Sequence, residues 1–189
     1  MKKLAFFASH NGSNFKTIVK NCLNGQINAT PELLITNNSN SGAYQFGKEN
    51  NIKTYHISSL THEDPDTEIL KVLNENKIDL IILAGYMKKI PSEVIKAFPN
   101  KILNIHPSLL PKYGGKGMYG LNVHKAVVEN QEIFSGLTIH YVTENYDEGE
   151  YLIQHTIKLN PDETPESLQA RILEFEHIIY SRVIADLVK

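Results

Sequence analysis

Leu80-Ile81-Ile82-Leu83-Ala84 is an unbroken apolar run of five residues, and its reading decides the fold. It is too short for a core helix and about the length of a strand. A strand with no polar alternation is covered on both faces, as strands of a parallel sheet are. Just upstream, residues near 67–76 show a helical pattern. Downstream, Pro91 opens another helix to about Phe98, since proline at a first turn needs no partner for a missing amide. Ile102 to His106 then reads as the next strand.

The same alternation extends back to the start. Leu4 to Ala8 is a strand, and Asn14 to Leu23 an amphipathic helix in which Phe15, Ile18, Val19 and Cys22 recur at helical spacing. Residues 33–36 form a second strand, 42–49 a helix, and Lys53 to Ile57 a third strand. A polar loop, Ser58 to Pro65, carries the turn formers Asp64 and Pro65. Strands and helices that alternate over short links predict an α/β fold with a mostly parallel sheet and helices on both faces. After position 107 the rhythm changes. A glycine-bearing loop reaches about Asn122, and a helix covers Val123 to Asn130. Two strands, Gly136 to Val142 and Tyr151 to Lys158, then flank an acidic turn, an antiparallel addition at the C-terminal end. Thr164-Pro165 is an N-cap and first-position pair. The helix it opens runs nearly to Lys189, with Leu168, Ile172, Phe175, Ile179 and Val183 on one face. No repeat or linker divides residues 1–189, so a single domain is expected.

The 189 residues have 41% hydrophobic and 21% charged composition and a net charge of −2, which provides no broad attraction for nucleic acid or a membrane surface. The one cysteine, Cys22, excludes an internal disulfide and reads as core. The apolar run after Lys2-Lys3 is shorter than the core of a signal peptide, and no run is long enough to span a bilayer. A cytoplasmic protein is the expectation.

Three clusters can carry chemistry. Asn11-Gly12-Ser13-Asn14 joins the first strand to the first helix, where free helix amides point at a ligand and Gly12 permits close approach. It lacks the marks of a nucleotide triphosphate loop or a dinucleotide loop, so a monophosphate is the better match. The plain alternative is a tight turn with Ser13 or Asn14 as N-cap. In Asn104-Ile105-His106-Pro107-Ser108-Leu109-Leu110-Pro111, positions 104 and 106 share one side of a strand. Two polar side chains at the carboxyl end of a parallel strand, stiffened by two prolines, suggest a site. Asp147-Glu148-Gly149 is ordinary turn chemistry unless the fold carries Asp147 to His106. His140, alternating with Thr138, could face the same cleft. His56 and His62 read as solvated, and His124 and His155 have no role. The histidine spacings make no metal set, so no metal is expected.

Taken together, Asn104, the run from His106 to Tyr113 and Asp147-Glu148-Gly149 resemble the folate-dependent formyltransferases, and the likeness covers almost the full chain. Asn11 to Asn14 resembles the phosphate loop of the branch that formylates glycinamide ribonucleotide in purine synthesis. The resemblance implies a Rossmann-like fold and 10-formyltetrahydrofolate as donor. It implies Asn104, His106 and Asp147 as the catalytic set. It implies Asn11, Gly12, Ser13 and Asn14 as phosphate ligands, with Glu176 on the ribonucleotide. Folate would lie along Tyr86, Met87, Lys88, Ile90, Thr143 and Tyr146. The partners would be these small molecules, with no nucleic acid or membrane, and the protein a monomer or homodimer. His10 stands where that family usually has glycine, Lys88 replaces a common arginine, and Gly114 to Gly120 is longer than the pattern.

Such residues suit direct transfer. Asn104 and His106 would donate to the formyl oxygen, and Asp147 would favour protonated His106 or pass protons through water. A formylfolate hydrolase or an amino-sugar formyltransferase would share the trio, whereas a binding module would need only the phosphate loop.

Overall fold

β1 (Lys2–Phe7) and β4 (Leu80–Leu83) lie side by side and parallel, Leu4 against Leu80 through Phe7 against Leu83, in a computed structural model that describes residues 1–189. Leu4, Ala5, Phe6 and Phe7 are wholly buried and all of β4 is buried, so both faces of these strands are covered. β2 (Ala29–Thr36) and β3 (Lys53–His56) extend the parallel sheet on one side of β1, and β5 (Ile102–His106) joins β4 on the other. With β6 (Phe134–Tyr141) and β7 (Tyr151–Lys158), the strand order is β3-β2-β1-β4-β5-β6-β7, and the β6–β7 pair is antiparallel. The first five follow the doubly wound order, whose direction reverses between β1 and β4.

Residues 1–103 with 181–189 form one compact unit, and residues 104–180 a second. In the first, α1 (Ser13–Leu23) packs on α2 (Gly42–Glu49), and α3 (Pro65–Glu75) on α4 (Ser92–Ala97). α1 buries Phe15, Ile18, Val19 and Cys22, the stripe expected from its spacing. Phe15 meets Phe6 at 5.0 Å and Phe46 at 5.6 Å between ring centroids. Burial raises the Cys22 thiol to about 11, which leaves it unreactive. The second unit holds α5 (Leu121–Glu129), the β6–β7 pair and most of α6 (Pro165–Leu187). No helix is long and apolar enough to cross a membrane.

Several local expectations shift. Neither Ser13 nor Asn14 caps α1; Gly12 does, with φ 62° and no side-chain bond. Asp64 and Pro65 are the N-cap and first residue of α3 rather than loop, because the Asp64 carboxylate accepts the Thr67 amide at 3.1 Å. Pro91 sits one place earlier than expected, at the N-cap of α4. The buried row of α6 runs Leu168, Ile172, Glu176, Tyr180, Ile184, an unbroken series of four-residue steps. Phe175 lies beside that row and packs on the His155 ring at 4.7 Å.

Candidate active site

Asn104 and His106, two residues apart on β5, project from the same side of the strand. The loop that follows folds back on them. Its Ser108 hydroxyl donates to the Lys112 carbonyl at 2.7 Å, and the Thr138 hydroxyl donates to the Ser108 carbonyl at 2.7 Å while accepting the Leu110 amide at 3.1 Å. This return brings the Tyr113 carbonyl within 2.7 Å of His106 Nε2. A carbonyl can only accept, so Nε2 carries a hydrogen and Nδ1 is left to face elsewhere. It faces Asp147, whose Oδ2 is 3.7 Å away.

Asp147 is held in the turn between β6 and β7 at φ 58°, the left-handed region that aspartate tolerates better than most residues. Gly149 closes the turn where any side chain would collide with the Tyr141 carbonyl, 1.7 Å from the site of its Cβ. The Asp147 carboxylate accepts the Gly115 amide at 2.8 Å, so the glycine-rich loop anchors it. Its other oxygen lies 3.5 Å from His140 Nε2. His140 is 2% exposed and also meets the Asn104 amide nitrogen, at 3.1 Å.

Burial, the largest influence on His106, holds its pKa below the ordinary histidine value. The Asp147 carboxylate and the Tyr113 carbonyl push it up, and do not win. His106 is therefore neutral at neutral pH, which fits the passing of protons better than a standing imidazolium, the two roles left open by the sequence. For Asp147, burial pushes upward, but His140, His106 and the Gly115 amide together hold the carboxyl below its usual range. The cluster is thus a neutral imidazole with a free lone pair beside an ionised carboxylate. Its side chains form no group suited to a metal ion.

The first unit holds most of the other expected residues. Asn11 to Asn14 follow β1 at its carboxyl end, and Gly12 fits because a Cβ there would lie 2.8 Å from Ala43 Cβ. The Lys16 ammonium donates to Asn11 Oδ1 at 2.5 Å, a cation beside the loop that sequence reading passed over. His10 is exposed, and its carbonyl accepts the Ala43 amide at 3.0 Å. Tyr86 follows β4 across the point where strand order reverses, its ring edge-on to Phe7 at 5.1 Å. Tyr86 and Lys88 line a cleft of about 470 Å³ with Asn37, Ser58, Asp66 and Lys89, within the range of small-molecule sites. Ser9, also missed, ties this edge together: its hydroxyl donates to Asn37 Oδ1 at 2.6 Å and accepts the Met87 amide at 2.8 Å. Ile90 is 3% exposed, so it is part of the core. In the second unit, Thr143 and Tyr146 are exposed and Glu176 is buried on α6 beside Tyr180, whose hydroxyl pKa rises through burial first and Glu176 second.

A profile of the formyl transferase family matches residues 2–184. The chain belongs to the formyl transferase family. Among formyl transferases it is 43% identical over 187 residues to the chloroplastic phosphoribosylglycinamide formyltransferase of Arabidopsis thaliana, covering 97% of this chain and 64% of that protein. The chain therefore spans less than two thirds of that plant relative. It is 34% identical to phosphoribosylglycinamide formyltransferase of Bacillus subtilis, covering 99% of this chain and 95% of the relative. Glycinamide ribonucleotide transformylase 1 from Geobacillus kaustophilus shares the fold with a TM-score of 0.92 at 33% identity, each chain covered in full. The Rossmann-like α/β architecture expected from sequence is that of this formyl transferase.

Proposed function

We propose that this formyl transferase moves the formyl group of 10-formyltetrahydrofolate onto the amine of glycinamide ribonucleotide in purine synthesis. The observation that carries the reading is the gathering of Asn104, neutral His106 and ionised Asp147 at the carboxyl end of β5. The names of the relatives above support the acceptor.

In this reading the amine nitrogen attacks the formyl carbon and a tetrahedral oxyanion forms. The Asn104 amide donates to that oxygen, a contribution worth roughly 10²–10³ in rate for one such donor. His106 has its Nε2 hydrogen committed to the Tyr113 carbonyl, so its task is the proton rather than the oxyanion. Nδ1 accepts a proton from the attacking nitrogen, and the Asp147 carboxylate stabilises the cation so formed. The proton passes to the folate nitrogen as the carbon–nitrogen bond to folate breaks, leaving tetrahydrofolate and the formylated ribonucleotide. No residue forms a covalent intermediate. The phosphate is assigned to the amides of Asn11, Gly12, Ser13 and Asn14, and the ribonucleotide also to Glu176. Folate is assigned to Tyr86, Met87, Lys88, Thr143 and Tyr146, and to the main chain at Ile90, whose side chain is buried. Residues 1–189 would act as one cytoplasmic formyltransferase domain without a metal, as a monomer or homodimer.

The test is formyl transfer by purified protein with 10-formyltetrahydrofolate and glycinamide ribonucleotide. Acceptor-dependent release of tetrahydrofolate is expected. Folate turnover without acceptor would make the chain a hydrolase, and a formylated enzyme trapped without acceptor would overturn direct transfer.

A further inference from the structure

His140 is outside the catalytic set assigned above, yet it touches two of its members. Its ring is 2% exposed. Nδ1 lies 2.9 Å from the Tyr141 carbonyl, which can only accept, so Nδ1 carries a hydrogen. Nε2 faces the catalytic set. Two groups approach it: the Asn104 amide nitrogen at 3.1 Å and the Asp147 carboxylate at 3.5 Å. The amide nitrogen can only donate and is the nearer group, at hydrogen-bond distance, so Nε2 accepts from Asn104, while the carboxylate acts on the ring by its charge across 3.5 Å.

We infer that His140 is a positioning residue that fixes which way the Asn104 amide points, by accepting one of its two hydrogens from a ring locked in the Nδ1–H tautomer. An asparagine amide has a donor end and an acceptor end of nearly the same shape. Turned the wrong way, it would present its oxygen to a developing oxyanion. With one Nδ2 hydrogen given to His140, the amide keeps its donor end at this point of the site, and the second Nδ2 hydrogen remains for substrate. The backbone carbonyl of Tyr141, the residue next to His140 on β6, sets the tautomer, so the orientation of Asn104 is written into the sheet.

The inference rests on the formyl-transfer reading for its effect on rate, but not for the pairing itself. His140→Leu removes the acceptor and is expected to lower kcat roughly 10- to 100-fold while KM for both substrates changes less than about threefold, since the loss falls on the transition state. His140→Gln places a carbonyl oxygen near the position of Nε2 and is expected to restore kcat to within about fivefold of wild type. Equal activity in H140L and wild type, or equal loss in H140Q and H140L, would overturn the inference. Independently of activity and of whether the variants fold, long-range proton–nitrogen spectra of wild type are expected to show His140 protonated at Nδ1 and bare at Nε2. An Nε2–H tautomer refutes the inference outright. Wild-type protein that transfers no formyl group while showing the Nδ1–H tautomer would instead remove the proposed function and leave the pairing standing.

Discussion

His124 should make the fold sensitive to mild acid. Its ring is 2% exposed, Nδ1 has no hydrogen-bond partner, and burial, helped by His106, lowers its pKa from 6.5 to about 4. Between those values the unfolded chain binds a proton that the folded chain refuses. Stability is therefore complete above about pH 6.5 and falls as pH drops toward 4. Relative to neutral pH, the pair of values 6.5 and about 4 gives a loss of about 2 kcal/mol at pH 5 from this residue alone. His124→Leu removes the titration and the unsatisfied nitrogen while keeping apolar bulk. Urea unfolding followed by circular dichroism at pH 7 and pH 5 gives the comparison. At a slope of roughly 2 kcal/mol per molar urea, the wild-type midpoint should fall about 1 M further than that of H124L. His106, also lowered by burial, remains in both proteins, so most of its own titration drops out of the difference. Parallel midpoints for the two proteins across this range would show that His124 is not held neutral by burial, and the reasoning would fail.

Other outcomes follow from the same geometry. His106→Ala should abolish turnover yet leave ribonucleotide affinity within a few-fold, measured by calorimetry; unchanged turnover would remove His106 from the chemistry. Asp147→Asn deletes a charge that pushes the His106 pKa up, so His106 should titrate at still lower pH by nuclear magnetic resonance, and a rise would contradict the assignment. Gly12→Ala forces a side chain into φ 62° and to 2.8 Å from Ala43 Cβ. A cost of about 2 kcal/mol in stability and weaker binding of the ribonucleotide are expected, and a variant as stable as wild type would deny the strain.

Much of the fold was legible because its signals are local. The unbroken run at Leu80, the helical stripe of α1 and the loop between β1 and α1 each depend on residues a few positions apart, and each lies where its pattern puts it. The cap of α1 was misread because Gly12 enters the left-handed region, at a place where a Cβ would lie 2.8 Å from Ala43 Cβ. The inward face of α6 was half misread because Glu176 is buried where a hydrophobicity pattern rejects a carboxylate. Asn104 and His106 were legible from two-residue strand spacing. His140 was legible only as a residue that could face the cleft, and Ser9 and Gly115 not at all, because each acts through a partner distant in the chain.

By itself, the sequence determined the parallel α/β architecture, the loop with exposed helix amides and the shared side of Asn104 and His106. Those features follow from backbone periodicity and from what glycine and proline permit. Only the tertiary structure decided that Asp147 stands 3.7 Å from His106, that both rings of the cluster have one hydrogen committed to a carbonyl, and that His106 rests neutral. Hydrogen-bond partners and the loss of water around a buried ring are set by groups that meet only when the strands have paired.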